Sequence, residues 1–105
     1  MAQFSVYQNK NKATVARFPL LLNIQNEMLI SMQTCVVVPL TKFENLTHNP
    51  MGKLTPILLV RGQNYRMMTP QLAGINKREL GVEVEILTSY QHEIISAVDF
   101  LLSGV

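Results

Sequence analysis

The residues whose types and spacing suggest chemistry most clearly are Arg66 and Thr69, which enclose a pair of methionines. A guanidinium that binds an anion and a hydroxyl three positions away are groups that serve phosphoryl transfer. The same pattern is also that of a strand whose arginine faces solvent or an interface, and we favour this second interpretation. Methionine side chains adapt their shape, so the pair suits a partner surface as well as a core gap.

Other groups that could form a catalytic or metal site are scarce. Asp99 is the only aspartate, and His48 and His92 are far apart, with no cysteine or carboxylate at the spacing of a metal motif. The sequence contains no glycine-rich phosphate loop and no nucleophile elbow. The single cysteine, Cys35, lies in an apolar run and is expected to be a small buried core residue. We therefore expect no enzyme activity, no metal and no cofactor.

Length and composition indicate one domain spanning residues 1–105. Hydrophobic residues make up 48% of the chain and charged residues 15%, so part of the surface must be apolar, as in an oligomer interface. The net charge of +2 is too small to indicate a nucleic-acid partner, and the nearest approach to a basic patch, Lys10, Lys12 and Arg17, is interpreted as a solvated turn. No apolar run could cross a bilayer and no signal peptide is recognised, so we expect a cytoplasmic protein with no membrane contact.

Runs of alternating or β-branched residues predict strands separated by short turns. These runs fall at residues 2–7, 18–25, 33–38, 57–60, 65–69 and 80–87. In the first, Phe4 and Val6 form one buried face. The third is expected to end at Pro39, and residues 61–64 are expected to form a hairpin turn. In the last strand the expected core face consists of Val82, Val84 and Ile86.

Two capping boxes predict helices. One joins Thr41 to Glu44 and predicts a short turn through Leu46, and the other joins Thr88 to Gln91 and predicts a helix to the end of the chain. The apolar side of this terminal helix is expected to contain Leu87, Ile94, Ala97, Val98, Leu101, Leu102 and Val105. Strands joined by short turns and followed by one helix predict a small β-barrel or sheet with the helix packed on it.

The terminal helix carries two residues that its own folding does not explain. Asp99 lies in the last turns, where the negative end of the helix dipole disfavours a carboxylate. Phe100 projects away from the apolar side, so it either packs against a loop or belongs to an interaction surface. Gly104 can adopt the left-handed conformation that ends a helix.

Read from end to end, the sequence resembles the CcdB family of toxins. The similarity rests on an ordered series of residues at nearly constant spacing: Gln3-Phe4, Val6-Tyr7, Ile24-Gln25, Val38-Pro39-Leu40, Leu54, Pro56, Arg66-Met67-Met68-Thr69, Ala73, Glu83-Val84, Leu87, Ile94, Ala97 and Gly104. The resemblance implies a homodimer of the fold that CcdB and MazF toxins share. That fold is mainly β, an SH3-like barrel extended by a small sheet and one C-terminal α-helix.

The resemblance also implies a function without an active site. Proteins of this family are the toxins of toxin–antitoxin systems carried on plasmids, where they serve plasmid maintenance, and on chromosomes. They bind the A subunit of DNA gyrase, trap the cleaved gyrase–DNA complex, and are neutralised by the antitoxin CcdA. In complex with the antitoxin they bind operator DNA and repress transcription of their own operon.

The gyrase-contacting residues of the family, carried over one at a time, fall on two segments of this sequence. They are Met28 and Leu29 after the second strand, and Asp99, Leu102, Ser103, Gly104 and Val105 at the terminus. The best-known family pattern ends in Trp-Gly-Ile, whereas this chain has serine, glycine and valine in those places. Two alternatives stay open: an endoribonuclease toxin of the MazF type, which would use Arg66 and Thr69, and a silenced homologue that only binds antitoxin.

Overall fold

The computed structural model describes residues 2–26, 32–43 and 52–104 of the chain. Within these ranges, seven strands and one α-helix follow in the order β1 Ser5–Asn9, β2 Leu20–Asn23, β3 Thr34–Lys42, β4 Ile57–Val60, β5 Gln63–Met67, β6 Ala73–Asn76, β7 Leu80–Ile86 and α1 Gln91–Ser103. The predicted fold class, mainly β with one C-terminal helix, is confirmed. β6 is a strand that the sequence pattern did not predict.

β3 is the centre of the sheet and changes its partner midway. The sheet is antiparallel in the order β4-β5-β3-β2-β1-β7, with β6 beside the first half of β3. Residues 34–37 pair with β6 and residues 40–42 pair with β5. Pro39 lies between these two paired stretches, so its missing N–H breaks no hydrogen bond to β5 or β6. Its carbonyl accepts the Met68 N–H at 3.0 Å. The prediction that the strand ends at Pro39 is therefore wrong.

The sheet curls into a half-barrel whose two outer strands are joined by side chains. Arg61 follows β4, and its Nε donates to the Val84 carbonyl of β7 at 2.8 Å, while its backbone N–H donates to Glu85 Oε1 at 2.9 Å. The turn between β4 and β5 is Arg61-Gly62, with φ of 51° and 79°. Two successive positive φ angles suit the right-handed twist of a tight hairpin. The predicted hairpin is confirmed, with a shorter turn than expected.

Two hydrophobic clusters lie on opposite faces of the central strands. The larger one contains Phe4, Val6, Leu20, Leu22, Val38, Leu40, Leu58, Val60, Tyr65, Met67, Leu87, Ile94 and Ala97. The smaller one contains Leu21, Cys35 and Val37, with Ile75 of β6 packed against it. Cys35 is buried as predicted. Because β6 and its neighbours cover the second face, the sheet is not half-solvated in the way the alternating pattern suggested.

In the first strand the predicted buried face of Phe4 and Val6 is confirmed but the opposite face is buried as well, and in β7 the predicted core face is largely exposed. β1 begins at Ser5 because Phe4 has a positive φ of 72°, and Ser5 and Tyr7 are buried as well as Phe4 and Val6. In β7, Val82 and Ile86 are 68% and 45% exposed, whereas Val84 packs against the larger cluster. The register between β1 and β7 shifts twice, so a strict period of two does not keep one face of β7 in the core.

Neither predicted capping box forms as expected. Thr41 lies inside β3, and residues 44–46 fall outside the described parts of the chain. Thr88 begins a 3₁₀ turn, Thr88–Tyr90, that precedes α1, and no side chain caps the start of either segment. Gly104 ends α1 with a φ of 76°, as predicted. In the ranges that the structure describes, no helix is long and apolar enough to cross a membrane.

Candidate functional site

The terminal helix α1 has a second apolar face that does not pack on the sheet. Ile94 and Ala97 are fully buried, whereas Ile95 and Leu102 are 40% and 75% exposed. With the exposed Asp99 they have the spacing i, i+4, i+7, which places three side chains on one side of a helix. We call Ile95, Asp99 and Leu102 the exposed stripe of α1. It is a surface that a partner can bury.

The expectation that Leu102 belongs to the core face is wrong. At about 100° per residue, Leu102 lies roughly 80° around the helix from Ile94, at the margin of the buried side. Its exposure agrees instead with the family-based assignment of Leu102 to a partner surface. Sequence reasoning missed Ile95, although its spacing from Asp99 and Leu102 was a usable signal.

A groove runs beside the exposed stripe and reaches the segment that precedes Met28. This groove of about 180 Å³ is lined from the sheet side by Gln3, Phe4 and Ile24, and from the helix by Ile94, Ile95, Val98 and Asp99. Gln3 Nε2 donates to the Ile24 carbonyl at 3.0 Å, which ties the N-terminal segment to the end of β2. The described chain continues from Ile24 to Asn26. Met28 and Leu29 themselves lie outside the described residues.

The end of α1 brings four of the predicted contact residues together. Ser103 follows Asp99 by one turn, and its hydroxyl donates to the Asp99 carbonyl at 2.7 Å. The Gly104 N–H donates to the Phe100 carbonyl at 2.9 Å and closes the last turn. Asp99, Leu102, Ser103 and Gly104 therefore form one continuous exposed surface. Val105 lies outside the described residues.

The Phe100 side chain lies on another side of the helix, where it already packs against Lys53. Its half-buried ring lies beneath the Lys53 ammonium, 5.5 Å from the ring centroid. This contact agrees with the expectation that Phe100 packs against a loop. Phe100 is therefore not part of the exposed stripe.

In the alternative pair, Thr69 is buried and the half-buried Arg66 is engaged by other residues of the fold. The Arg66 guanidinium stacks 4.7 Å from the centroid of the Phe43 ring and reaches Thr55 Oγ1 at 3.5 Å. The Thr69 side chain is fully buried, and its Oγ1 has no hydrogen-bond partner. A buried hydroxyl cannot attack or position a macromolecular substrate. In this structure the two side chains do not form an accessible site.

The two side chains whose pKa is shifted, Cys35 and Tyr7, are not activated as nucleophiles. Burial raises the pKa of the Cys35 thiol, and the nearby Lys77 lowers it to a smaller extent. Burial also raises the pKa of Tyr7, whose hydroxyl donates to Glu83 at 3.3 Å. Activated nucleophiles need the opposite shift, because the deprotonated form is the reactive one. Among the described residues, no group of three histidine, cysteine or acidic side chains could hold a metal ion.

Comparison with known proteins places the chain in a defined structural class. A family model described as CcdB protein matches residues 3–104. An endoribonuclease in complex with its cognate antitoxin, from a mycobacterial species, has a TM-score of 0.75 and 17% identity over 97% of this chain and 94% of that chain. The Mycobacterium tuberculosis toxin MazF-mt6 has a TM-score of 0.72 and 13% identity over 93% of this chain and 95% of that chain. At these identities the two structures show a shared fold.

Proposed function

Because the chain belongs to the CcdB family, we propose that it is a toxin that binds the A subunit of DNA gyrase and traps the cleaved gyrase–DNA complex. A CcdA-like antitoxin neutralises it. The toxin acts as a homodimer in the cytoplasm, and in complex with the antitoxin it binds operator DNA and represses the operon. Support for an antitoxin partner comes from the similar endoribonuclease structure, which was solved with its cognate antitoxin.

The observation that carries the proposal is the exposed stripe of α1. Leu102 is 75% exposed, so covering its side chain with a partner would stabilise the complex. The groove beside Ile95 offers a recess for a partner side chain. Asp99 lies between the two apolar residues and can accept hydrogen bonds that orient the partner. In an interface a few well-buried side chains supply most of the binding free energy, and the contacts around them exclude water.

A gyrase cleavage assay with the purified protein tests the proposal. The unaltered protein should accumulate cleaved DNA, and Leu102→Ala should weaken trapping about tenfold, as expected for loss of ~1.4 kcal/mol at an interface centre. Val82→Ala is the matched control, because Val82 is 68% exposed but lies on β7. Absence of cleaved complexes with the unaltered protein would refute gyrase poisoning, and an equal loss in both variants would refute the assignment to α1.

The shared fold with endoribonucleases keeps RNA cleavage as a second candidate. Purified RNA incubated with the protein should stay intact if the gyrase proposal is right, because Thr69 is buried and Arg66 is engaged within the fold. Cleavage that disappears in Arg66→Ala would favour the second candidate instead. If the protein neither cleaves RNA nor traps gyrase but binds antitoxin, it is a silenced homologue.

A further inference from the structure

Five of the nine lysine and arginine residues come together at one end of the half-barrel. Lys10, Lys12 and Arg17 lie in residues 10–18, which connect β1 to β2, and Lys77 and Arg78 lie in the 3₁₀ turn Lys77–Glu79 before β7. In the sequence these two groups are far apart, which is why the charge pattern alone did not indicate a patch. We call residues 10–18 and 77–79 together the basic end.

Direct contacts hold the two halves of the basic end against each other. The Lys10 N–H donates to the Glu79 carbonyl at 2.9 Å, and Asn11 Nδ2 donates to Glu79 Oε1 at 3.1 Å. Gly81 lets β7 approach closely, since a Cβ at this position would lie 3.1 Å from Gln8 and 3.3 Å from Lys10 Cγ. The loop and the turn therefore form one surface.

The basic end is held in shape by its own hydrogen bonds. The buried Asn9 side chain donates to Thr14 Oγ1 at 3.0 Å and to the Phe18 carbonyl at 2.8 Å. At the turn, Asn76 Oδ1 accepts the Arg78 N–H at 3.0 Å. A loop that is already ordered loses little conformational entropy when it binds. The cations are therefore displayed in a preformed arrangement.

The positive charge of the chain is concentrated at the basic end. Residues 10–18 and 77–79 carry five positive charges and one negative charge, Glu79, a net of +4. Since the whole chain carries +2, the remaining residues carry −2. The four cations Lys10, Lys12, Arg17 and Arg78 are exposed. Such an asymmetry attracts a polyanion to one end of the molecule.

We propose that the basic end binds the phosphate backbone of duplex DNA. Single-stranded nucleic acids are held by aromatic rings on which bases stack, and the ring nearest this surface, Phe18, is half-buried and covered by the Arg17 guanidinium at 5.0 Å. Lysine and arginine on two adjacent turns suit evenly spaced phosphates instead. This binding is independent of sequence and needs neither gyrase nor antitoxin, so it goes beyond the proposed function.

Fluorescence anisotropy with a labelled duplex of mixed sequence tests the proposal on the purified full chain. A surface with four phosphate contacts should lose roughly a hundredfold in affinity between 50 and 200 mM salt, because each contact contributes about −0.9 to the slope of log K against log salt. Lys12→Glu and Arg78→Glu should each reduce the magnitude of that slope by about one contact. Circular dichroism confirms that the variants are folded.

Lys53→Glu is the matched control, because it changes the net charge equally from a position outside the basic end. Lys53 is exposed, and its ammonium lies 5.5 Å from the centroid of the Phe100 ring of α1. The control should keep the slope of the unaltered protein. Equal losses in all three variants, absence of duplex binding at 50 mM salt, or tighter binding to single-stranded RNA than to duplex would each overturn the proposal.

Discussion

Replacing Ser103 with tryptophan should strengthen the gyrase trapping that we propose. Ser103 is exposed one turn after Asp99, next to the exposed stripe of α1, and it occupies the place of the tryptophan in the best-known family pattern. Serine offers neither the contact area nor the stacking of an aromatic side chain. Phe100, the only aromatic residue in α1, is held beneath Lys53 on another side of the helix.

The expected gain follows from the area that the new side chain can bury. An aromatic side chain buries about 150–250 Å² when fully covered. Covering roughly half of it, at about 25 cal/mol per Å², corresponds to about 2 kcal/mol, which is about thirtyfold in affinity. The Ser103 hydroxyl contributes only one exposed hydrogen bond, to the Asp99 carbonyl at 2.7 Å. Losing it should change the free energy of unfolding by less than ~1 kcal/mol.

The assay compares gyrase trapping and toxicity at matched expression for the unaltered chain and two variants. Gln91→Trp is the control, because it adds the same side chain at an exposed position about 18 Å away along the helix axis. Ser103→Trp should lower the concentration needed for trapping about thirtyfold, whereas the control should not change it. If the unaltered chain already matched Ser103→Trp in potency, the reasoning would be refuted, because another residue would then supply the anchor.

Three further predictions concern assembly, the chain end and the core. Light scattering at micromolar concentration should report a homodimer, and a mass near the 11.9 kDa of one chain would contradict this. Deleting residues 103–105 should abolish gyrase binding in a pull-down while the melting temperature stays within a few degrees, since the described residues there are exposed; retained binding would refute the site. Ile94→Ala should lower the free energy of unfolding by about 2–5 kcal/mol in urea, because the Ile94 side chain of α1 is fully buried in the larger hydrophobic cluster; a loss below ~1 kcal/mol would mean that the helix packs differently.

Local pattern predicted the elements of this fold better than it predicted their faces. The hairpin at Arg61-Gly62 and the end of α1 at Gly104 each include a glycine with a positive φ angle, so neighbouring residues alone indicated them. Pro39 misled the prediction because its effect depends on which strand lies beside it. Two register shifts between β1 and β7 moved Val82 and Ile86 to the surface, and these depend on pairing between distant segments.

The candidate site shows the same division between local and long-range information. Asp99 was noted from the helix dipole alone, and its place among the contact residues came from the family resemblance. The groove beside it needed Gln3 and Ile24, which reach α1 only because β1 and β2 pair. The basic end needed Lys10 and Arg78 to meet through Glu79. Neither arrangement is contained in a window of neighbouring residues.

The two proposed surfaces lie at opposite ends of the same strand, which gives them a defined geometric relation. Gln3 and Phe4, before β1, line the groove beside α1, and Lys10, directly after β1, belongs to the basic end. Five residues of extended chain separate these ends by about 17 Å, and a hydrogen-bonded sheet keeps that separation fixed. A protein seated on gyrase through α1 would therefore direct its positive end away from the contact. It could meet a DNA duplex there without moving either surface.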